Sequence, residues 1–107
     1  MFVEERTYTL QAGKTDSYLA AYAKHGLDVQ RGHLGNLIGY FTTEVGPLNQ
    51  IVHMWGYDSL DDRQERRKAL YADTRWLEYV PTVQPWIVHQ ENRLLVPTSF
   101  SPIPPGS

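Results

Sequence analysis

The chain has 107 residues, a length that one domain with its own hydrophobic core accommodates. It is 41% hydrophobic and carries a net charge of −2, so no overall positive charge draws it to nucleic acid or to an anionic membrane surface. It contains no cysteine, which excludes disulfides, thiolate zinc sites and cysteine nucleophiles. No apolar run reaches the roughly 18 residues of a membrane span, and the N-terminus lacks the pattern of a signal peptide, so a cytoplasmic location is expected.

Three strands and a helix are predicted in the first half of the chain. Residues 2–10, FVEERTYTL, are rich in β-branched and aromatic residues and stop at a glycine turn, which indicates a strand. A helix follows, with Thr15 or Asp16 as its expected N-cap and apolar residues at spacings of three and four. Residues 36–45 and 50–57 are two further strands, and the short link between them makes a hairpin.

A second helix and a fourth strand are predicted in the second half. Ser59 is placed to cap a helix that runs to about residue 72. A short helical piece follows, and Pro81 and Pro85 are expected to stop it. Residues 86–96, WIVHQENRLLV, then form a strand. This order of elements predicts an α+β, ferredoxin-like split βαβ fold, in which both helices cover one face of a four-stranded antiparallel sheet.

The C-terminal segment differs from the rest in composition. PTSFSPIPPGS holds four prolines and cannot join a sheet ladder regularly. We therefore divide the chain into a domain over residues 1–97 and a proline-rich tail over residues 98–107. The tail is either a disordered end or an arm laid over a neighbouring chain, and its residues Phe100 and Ile103 favour the arm.

The two faces of the third strand differ in chemistry. His53, Trp55 and Tyr57 alternate with smaller residues, so the large polar-edged rings share one face. We expect a small aliphatic set to pack under the helices: Val52, Met54, Val88 and Leu94. The ring face then lies on the far side of the sheet, where so large a patch marks an interface. A homodimer with two-fold symmetry, sheet facing sheet, is therefore predicted.

The predicted site is the space between the two sheets. Its expected lining is Arg6, Tyr8, His53, Trp55, His89 and Glu91, with Tyr40 and Thr42 beside them. In this hypothesis His53 is the acid or base, because an imidazole titrates near neutral pH. The planar fork of Arg6 fits a carboxylate or oxyanion, and Trp55 with Tyr8 forms a wall for a small aromatic or quinone-like molecule.

Each of these residues also has a purely structural interpretation. His53 can be a hydrogen-bonded interior histidine beside a packing Trp55. Arg6 can belong to an ion-pair network with Glu91 across neighbouring strands. The four histidines show no HxH or HExxH spacing, so no metal site is expected, although His53 and His89 would meet if their strands came together. The chain has no glycine-rich phosphate loop and no Gly-x-Ser-x-Gly elbow.

Three stretches resemble the NIPSNAP family. They are ERTYTLQAGK near the start, LIGYFTTEVGPLNQIVHMWGYDSLDDRQERR in the middle and ENRLLVP near the end. The best-matched positions are Arg6, Tyr8, Gly39, His53, Trp55 and Tyr57. The resemblance implies a ferredoxin-like fold and membership of the dimeric α+β barrel superfamily. Where relatives often carry an aliphatic residue on the supposed helix-facing side, this chain has Glu5, so either Glu5 faces the other way or it lies near an exposed edge.

The resemblance is a weak guide to activity, because the biochemical role of the family is unsettled. The superfamily includes quinol and polyketide monooxygenases, heme-degrading and heme-binding proteins, and muconolactone-type isomerases. Trp55 and Arg6 are similar by position to pocket residues of the heme-degrading branch, although a shared fold does not fix function. We therefore carry three hypotheses: a small-molecule-binding barrel that acts as a cofactor-independent monooxygenase or isomerase, a non-catalytic interaction scaffold, and a heme-binding protein.

Overall fold

Four antiparallel strands form one sheet in the order β2-β3-β1-β4, so β1 and β3 are its central strands. The computed structural model describes residues 1–103, and residues 104–107 of the predicted tail lie outside that part. The strands are β1 Phe2–Leu10, β2 Asn36–Thr42, β3 Gln50–Tyr57 and β4 Ile87–Leu95. All four lie within two or three residues of the predicted bounds, and the ferredoxin-like α+β fold is confirmed.

The helical layer covers one face of this sheet. Its segments in chain order are α1 Thr15–Ala21, a π-helical turn Tyr22–Gly26, α2 Leu27–Leu34, α3 Leu60–Leu70, α4 Thr74–Val83 and a 3₁₀ turn Gln84–Trp86. Ser59 caps α3 as predicted, since its Oγ accepts the backbone N–H of Asp62 at 3.0 Å. The predicted cap of the first helix was wrong, because Lys14 occupies that position and makes no side-chain hydrogen bond. No helix of the described residues is long and apolar enough to cross a membrane.

The expected stop at Pro81 was also wrong. α4 runs through Pro81 to Val83, so it is a full helix of the layer and not a short piece. A proline there removes the hydrogen bond to the carbonyl of Leu77, which is half-exposed and therefore within reach of water. Trp76 and Tyr79 are both buried by α4, and large aromatic side chains bury enough area to outweigh the local cost of about 3 kcal/mol.

The predicted facing of β3 is reversed in the structure. Trp55 is 0% exposed, and His53 and Tyr57 are equally buried between the sheet and the helices. None of the four aliphatic residues expected there is buried: Val52 and Met54 are intermediate, while Val88 and Leu94 are 60% and 41% exposed. The helices contribute aromatic and aliphatic side chains to this layer in equal number, and the rings of β3 pack with them in one core.

The opposite side of the sheet is called the open face here. It carries Val3, Glu5, Thr7, Thr9, Val52 and Met54, together with His89, Glu91 and Arg93 of β4. Glu5 accepts a hydrogen bond from Arg93 Nε at 3.0 Å and is 22% exposed. It lies on a central strand and faces away from the helices, so the expected place near a sheet edge was wrong. Val3 is nevertheless only 5% exposed, although it points away from the helices.

The C-terminal arm accounts for the burial at this end of the sheet. Residues that follow β4 surround an apolar cavity of about 470 Å³ on the open face. Its lining is Val3, Ile38, Phe41, Met54, Leu95, Val96, Pro97, Thr98, Ser101 and Ile103. The arm therefore lies over the sheet of its own chain, and Phe100, which was expected to favour an arm, is 85% exposed.

Candidate functional site

A second cavity, of about 240 Å³, lies between the helices and the β1–β4 side of the sheet. Its lining combines one arginine with five aromatic rings, three glutamines and three aliphatic side chains. These residues are Arg6, Tyr8, Tyr18, Tyr71, Trp76, Tyr79, Gln30, Gln84, Gln90, Val80, Val83 and Ile87. A small-molecule site usually combines aromatic and aliphatic walls with a few convergent polar groups, and this lining has both, so we take this cavity as the candidate site.

Arg6 is the charged residue of this lining. Its Nε donates a hydrogen bond to Tyr8 Oη at 3.0 Å, and its Nη1 donates to Glu4 Oε2 at 3.0 Å. Among residues 1–103, Nη2 makes no hydrogen bond. Burial would lower the pKa of Arg6, but its interactions with Tyr8 and Glu4 more than offset this, so the guanidinium remains charged. The side chain is 12% exposed and has donor capacity left for a ligand.

Glu4 holds Arg6 in this position and was not predicted from the sequence. Its carboxylate is 0% exposed and also accepts hydrogen bonds from Arg63 of α3, at 2.8 and 3.1 Å, and from Asn92 of β4, at 2.7 Å. Burial alone would raise the pKa of Glu4, but the bonds from Arg63 and Asn92 and the nearby arginine charges lower it to about 2. The alternation of Glu4 and Arg6 on one strand face was the available signal.

His53 does not line the cavity, but it packs against Tyr8, which does. Its Nδ1 accepts a hydrogen bond from Trp55 Nε1 at 2.7 Å, which leaves the proton of the neutral ring on Nε2. Its ring stacks on Tyr40 at 4.8 Å and meets Tyr8 edge-on at 4.9 Å. Burial, with a smaller effect of Arg6, lowers the pKa of His53 to about 3. These contacts are those of an interior histidine, and they give its acid or base role no support.

The tyrosines around the cavity are neutral hydrogen-bonding groups. Burial is the main cause that raises the pKa of Tyr18, Tyr40 and Tyr79. The hydroxyls of Tyr18 and Tyr40 share a hydrogen bond of 3.3 Å. Trp76 Nε1 is buried without a hydrogen-bond partner among the described residues. Such buried groups usually meet a ligand or an ordered water, which is consistent with a cavity that holds a polar molecule.

The sheet separates the residues predicted for the site. Arg6 and Tyr8 line the cavity, while Tyr40, His53 and Trp55 pack behind it in the same layer. His89 and Glu91 pair with Thr9 and Thr7 on the open face, so they do not join the others. Their assignment to one pocket with Arg6 was wrong, because residues of β4 alternate between the two faces and these two belong to the other set.

Helix α4 supplies lining residues that sequence reasoning missed. One face of α4 carries Trp76, Tyr79, Val80 and Val83 at helical spacing. The sequence did not predict this face because the helix was expected to end at Pro81. Among the described residues, no group of three or more His, Asp or Glu is placed to hold a metal ion. Neither His53 nor His89 lines the cavity, so neither fits the role of an axial heme ligand there.

Solved structures share this architecture over nearly the whole chain. A NIPSNAP family protein of Agrobacterium tumefaciens is 51% identical, with a TM-score of 0.94 over 95% of this chain and 97% of that one. A NIPSNAP-like domain protein of Burkholderia xenovorans is 47% identical, with a TM-score of 0.92 over 94% and 88%. An antibiotic biosynthesis monooxygenase is 12% identical, with a TM-score of 0.65 over 92% of this chain and 99% of that one. At this identity the similarity shows a shared fold and nothing about function.

Curated proteins of the NipSnap group are also similar to this chain in sequence. The mouse protein NipSnap homolog 3B is 38% identical over 78 residues, which are 72% of this chain and 31% of the relative. The NipSnap homolog of Dictyostelium discoideum is 31% identical over 97 residues, 91% of this chain and 43% of the relative. The chain thus spans less than half the length of these relatives. The NIPSNAP family model matches residues 3–102, and the chain belongs to the NIPSNAP family.

Proposed function

We propose that this chain binds a small aromatic molecule with an acidic or quinone-like oxygen in the cavity beside Arg6. The observation that carries the proposal is a partly buried guanidinium, held by two hydrogen bonds and with one unpaired nitrogen, in an aromatic-lined space. Tyr8 accepts from Nε and Glu4 accepts from Nη1, so the plane of the guanidinium and the direction of Nη2 are set before a ligand arrives. Such preorganisation favours binding because little side-chain freedom is lost.

The size and walls of the cavity restrict the ligand. Its volume of about 240 Å³ is below the range of roughly 300–1,000 Å³ that holds drug-sized molecules, which favours a ligand of one or two rings. Tyr8 and Trp76 offer ring faces and edges for stacking or T-shaped contacts. Gln30 and Gln90 add amide groups that can orient a polar substituent.

The chemistry available at this site is stabilisation of negative charge. No carboxylate and no histidine belongs to the described lining, so the protein offers no general base of ordinary pKa there. A cofactor-independent monooxygenase or isomerase built on this site would use Arg6 to stabilise an oxyanion that develops on the substrate. We propose ligand binding as the function of this site, and any reaction there would depend on the reactivity of the bound molecule.

A pair of probe ligands tests the proposal. 2-Naphthoate and 2-naphthalenemethanol have the same rings but differ in charge, and their affinities are compared by calorimetry. Since charged hydrogen bonds contribute about 1.5–3 kcal/mol net, the wild type should prefer 2-naphthoate by about tenfold or more. Arg6→Gln should remove this preference. Arg93→Gln, on the open face, is the matched control and should retain it. Equal binding of both probes to the wild type would contradict the proposal.

We also propose that the open face pairs with a second copy of the chain. Val52 and Phe41 leave apolar surface on the open face beside the C-terminal arm, and Phe41 is 54% exposed. Val52→Glu should shift the chain toward monomer in sedimentation analysis, because it would bury a charge in the interface. Leu77→Glu, on the exposed side of α4, is the control. A wild type that is monomeric at high concentration would contradict this proposal and the scaffold hypothesis that depends on it.

A further inference from the structure

We propose that Arg67 binds a second acidic group of the ligand at the mouth of the cavity. This inference rests on the proposed function and narrows the ligand to an aromatic molecule with acidic groups at opposite ends. The guanidinium carbon of Arg67 lies 5.5 Å from the centre of the Tyr71 ring. Tyr71 lines the cavity and is half-exposed, so its ring forms part of the rim where the cavity meets solvent.

Arg67 differs from the other arginines of α3 in its partners. Arg63 pairs with Glu4 and Arg66 pairs with Asp62, so a carboxylate compensates each of those charges. Arg67 forms no ion pair among residues 1–103. The described lining also contains no carboxylate. The positive charge of Arg67 at the rim therefore has no carboxylate beside it, and we infer that an anionic group of the ligand binds there.

The position of Arg67 over the Tyr71 ring suits this role. A guanidinium held over an aromatic ring keeps its edge donors free while its plane is fixed, and that geometry matches a carboxylate. A ligand with one acidic end at Arg6 and the other at Arg67 would satisfy both arginines.

The experiment measures what a second carboxylate adds to binding. Benzoate is compared with terephthalate, and 2-naphthoate with naphthalene-2,6-dicarboxylate, so that two ligand lengths are covered. The variants are Arg67→Gln and Lys68→Gln, which remove one positive charge each from neighbouring positions of α3. Lys68 is exposed and has no described role in the cavity, so it is the control for general electrostatic attraction. Unfolding curves of both variants check that the fold is retained.

In the wild type, at least one dicarboxylate should bind about fivefold more tightly than its monocarboxylate, the gain of one partly exposed charge pair. Arg67→Gln should abolish this gain and leave the monocarboxylate within about twofold of wild type. Lys68→Gln should keep most of the gain. Arg67→Lys should keep part of it, because the charge remains while the planar stacking is lost.

Three results would overturn the inference. The gain persists in Arg67→Gln, or it falls equally in Lys68→Gln, or neither dicarboxylate binds the wild type better than its monocarboxylate. In all three cases Arg6-dependent binding of 2-naphthoate would still support the proposed function. If no probe binds the wild type, the proposed function fails and this inference fails with it.

Discussion

Trp55 Nε1 donates a hydrogen bond of 2.7 Å to His53 Nδ1 inside the layer between sheet and helices. The two residues are next to each other on one face of β3, and both are almost fully buried. The bond fixes the neutral tautomer of His53, and the Nε2–H that results has no partner among the described residues. A histidine held this way stabilises the fold only while it stays uncharged.

The first prediction concerns the pH dependence of stability. The pKa of His53 falls from its ordinary value of 6.5 to about 3 on folding, so the unfolded chain binds a proton that the folded chain does not. Stability is therefore full above pH 6.5 and is lost as the pH falls toward 3. The free energy of unfolding should drop by about 2 kcal/mol between pH 6.5 and 4.5 through this group alone.

Urea unfolding at a series of pH values measures this slope. His53→Gln should flatten it, whatever the variant does to stability at neutral pH. His89→Gln, which replaces an exposed histidine on the open face, should leave the slope in place. An unchanged slope in His53→Gln would show that other groups carry the acid sensitivity.

The second prediction concerns the buried carboxylate of Glu4. Glu4→Gln leaves Arg6 and Arg63 without their shared anion, and breaking a buried ion pair in this way should lower the free energy of unfolding by about 3 kcal/mol. Because folding lowers the pKa of Glu4 from 4.5 to about 2, this stabilisation is present above pH 4.5 and is lost as the pH falls through 2.

Glu5 provides the matched control for Glu4 on the same strand. It pairs with Arg93 at the surface, where ion pairs contribute about 1 kcal/mol or less. Glu5→Gln should therefore be nearly neutral in denaturant unfolding at pH 7. Similar losses in the two variants would mean that burial does not distinguish these carboxylates.

Residue composition and turn residues were enough to predict the order of elements, and alternation along each strand was enough to predict which residues share a face. It did not predict which face the helices cover, since alternation is symmetric with respect to the two sides of a sheet. That choice depends on partners far along the chain, such as Tyr22 and Tyr79, whose rings pack in one core with Trp55. Arg6 and Tyr8 share a face whichever side the helices cover, whereas the side on which His89 and Glu91 lie relative to them depends on the register of β4.

The third prediction tests the close packing of two helical segments behind the cavity. A Cβ added at Gly26 would lie 2.8 Å from Tyr79 Cζ, so Gly26→Ala requires the ring or the helix to move. We expect a loss of about 1–3 kcal/mol in the free energy of unfolding. Gly32→Ala is the control, because its Cβ would meet nothing within 4 Å in α2 and alanine favours a helix by up to about 1 kcal/mol.

The melting temperatures of these two variants should move in opposite directions. If Gly26→Ala is as stable as wild type, the contact between Gly26 and Tyr79 does not limit the packing of α4. A loss in Gly32→Ala would instead indicate that α2 contacts something outside the described residues, such as a second chain.

The fourth prediction concerns the hydroxyl that orients Arg6. Tyr8→Phe keeps the ring in the cavity wall but removes the oxygen that accepts the Arg6 Nε–H at 3.0 Å. The guanidinium then keeps only its bond to Glu4 and gains freedom, so affinity for 2-naphthoate should fall about three- to tenfold. Calorimetry gives this ratio, and stability should change by no more than about 1 kcal/mol because the bond is not fully buried.

Tyr71→Phe is the control for Tyr8→Phe, since it also removes a hydroxyl from the cavity lining but makes no described hydrogen bond. Its affinity for 2-naphthoate should stay close to wild type, because neither the ring under Arg67 nor the position of Arg6 changes. If both variants lose affinity equally, the hydroxyls act on the ligand directly and Tyr8 does not work through Arg6. If neither loses affinity, Glu4 alone is sufficient to hold the guanidinium in its binding position.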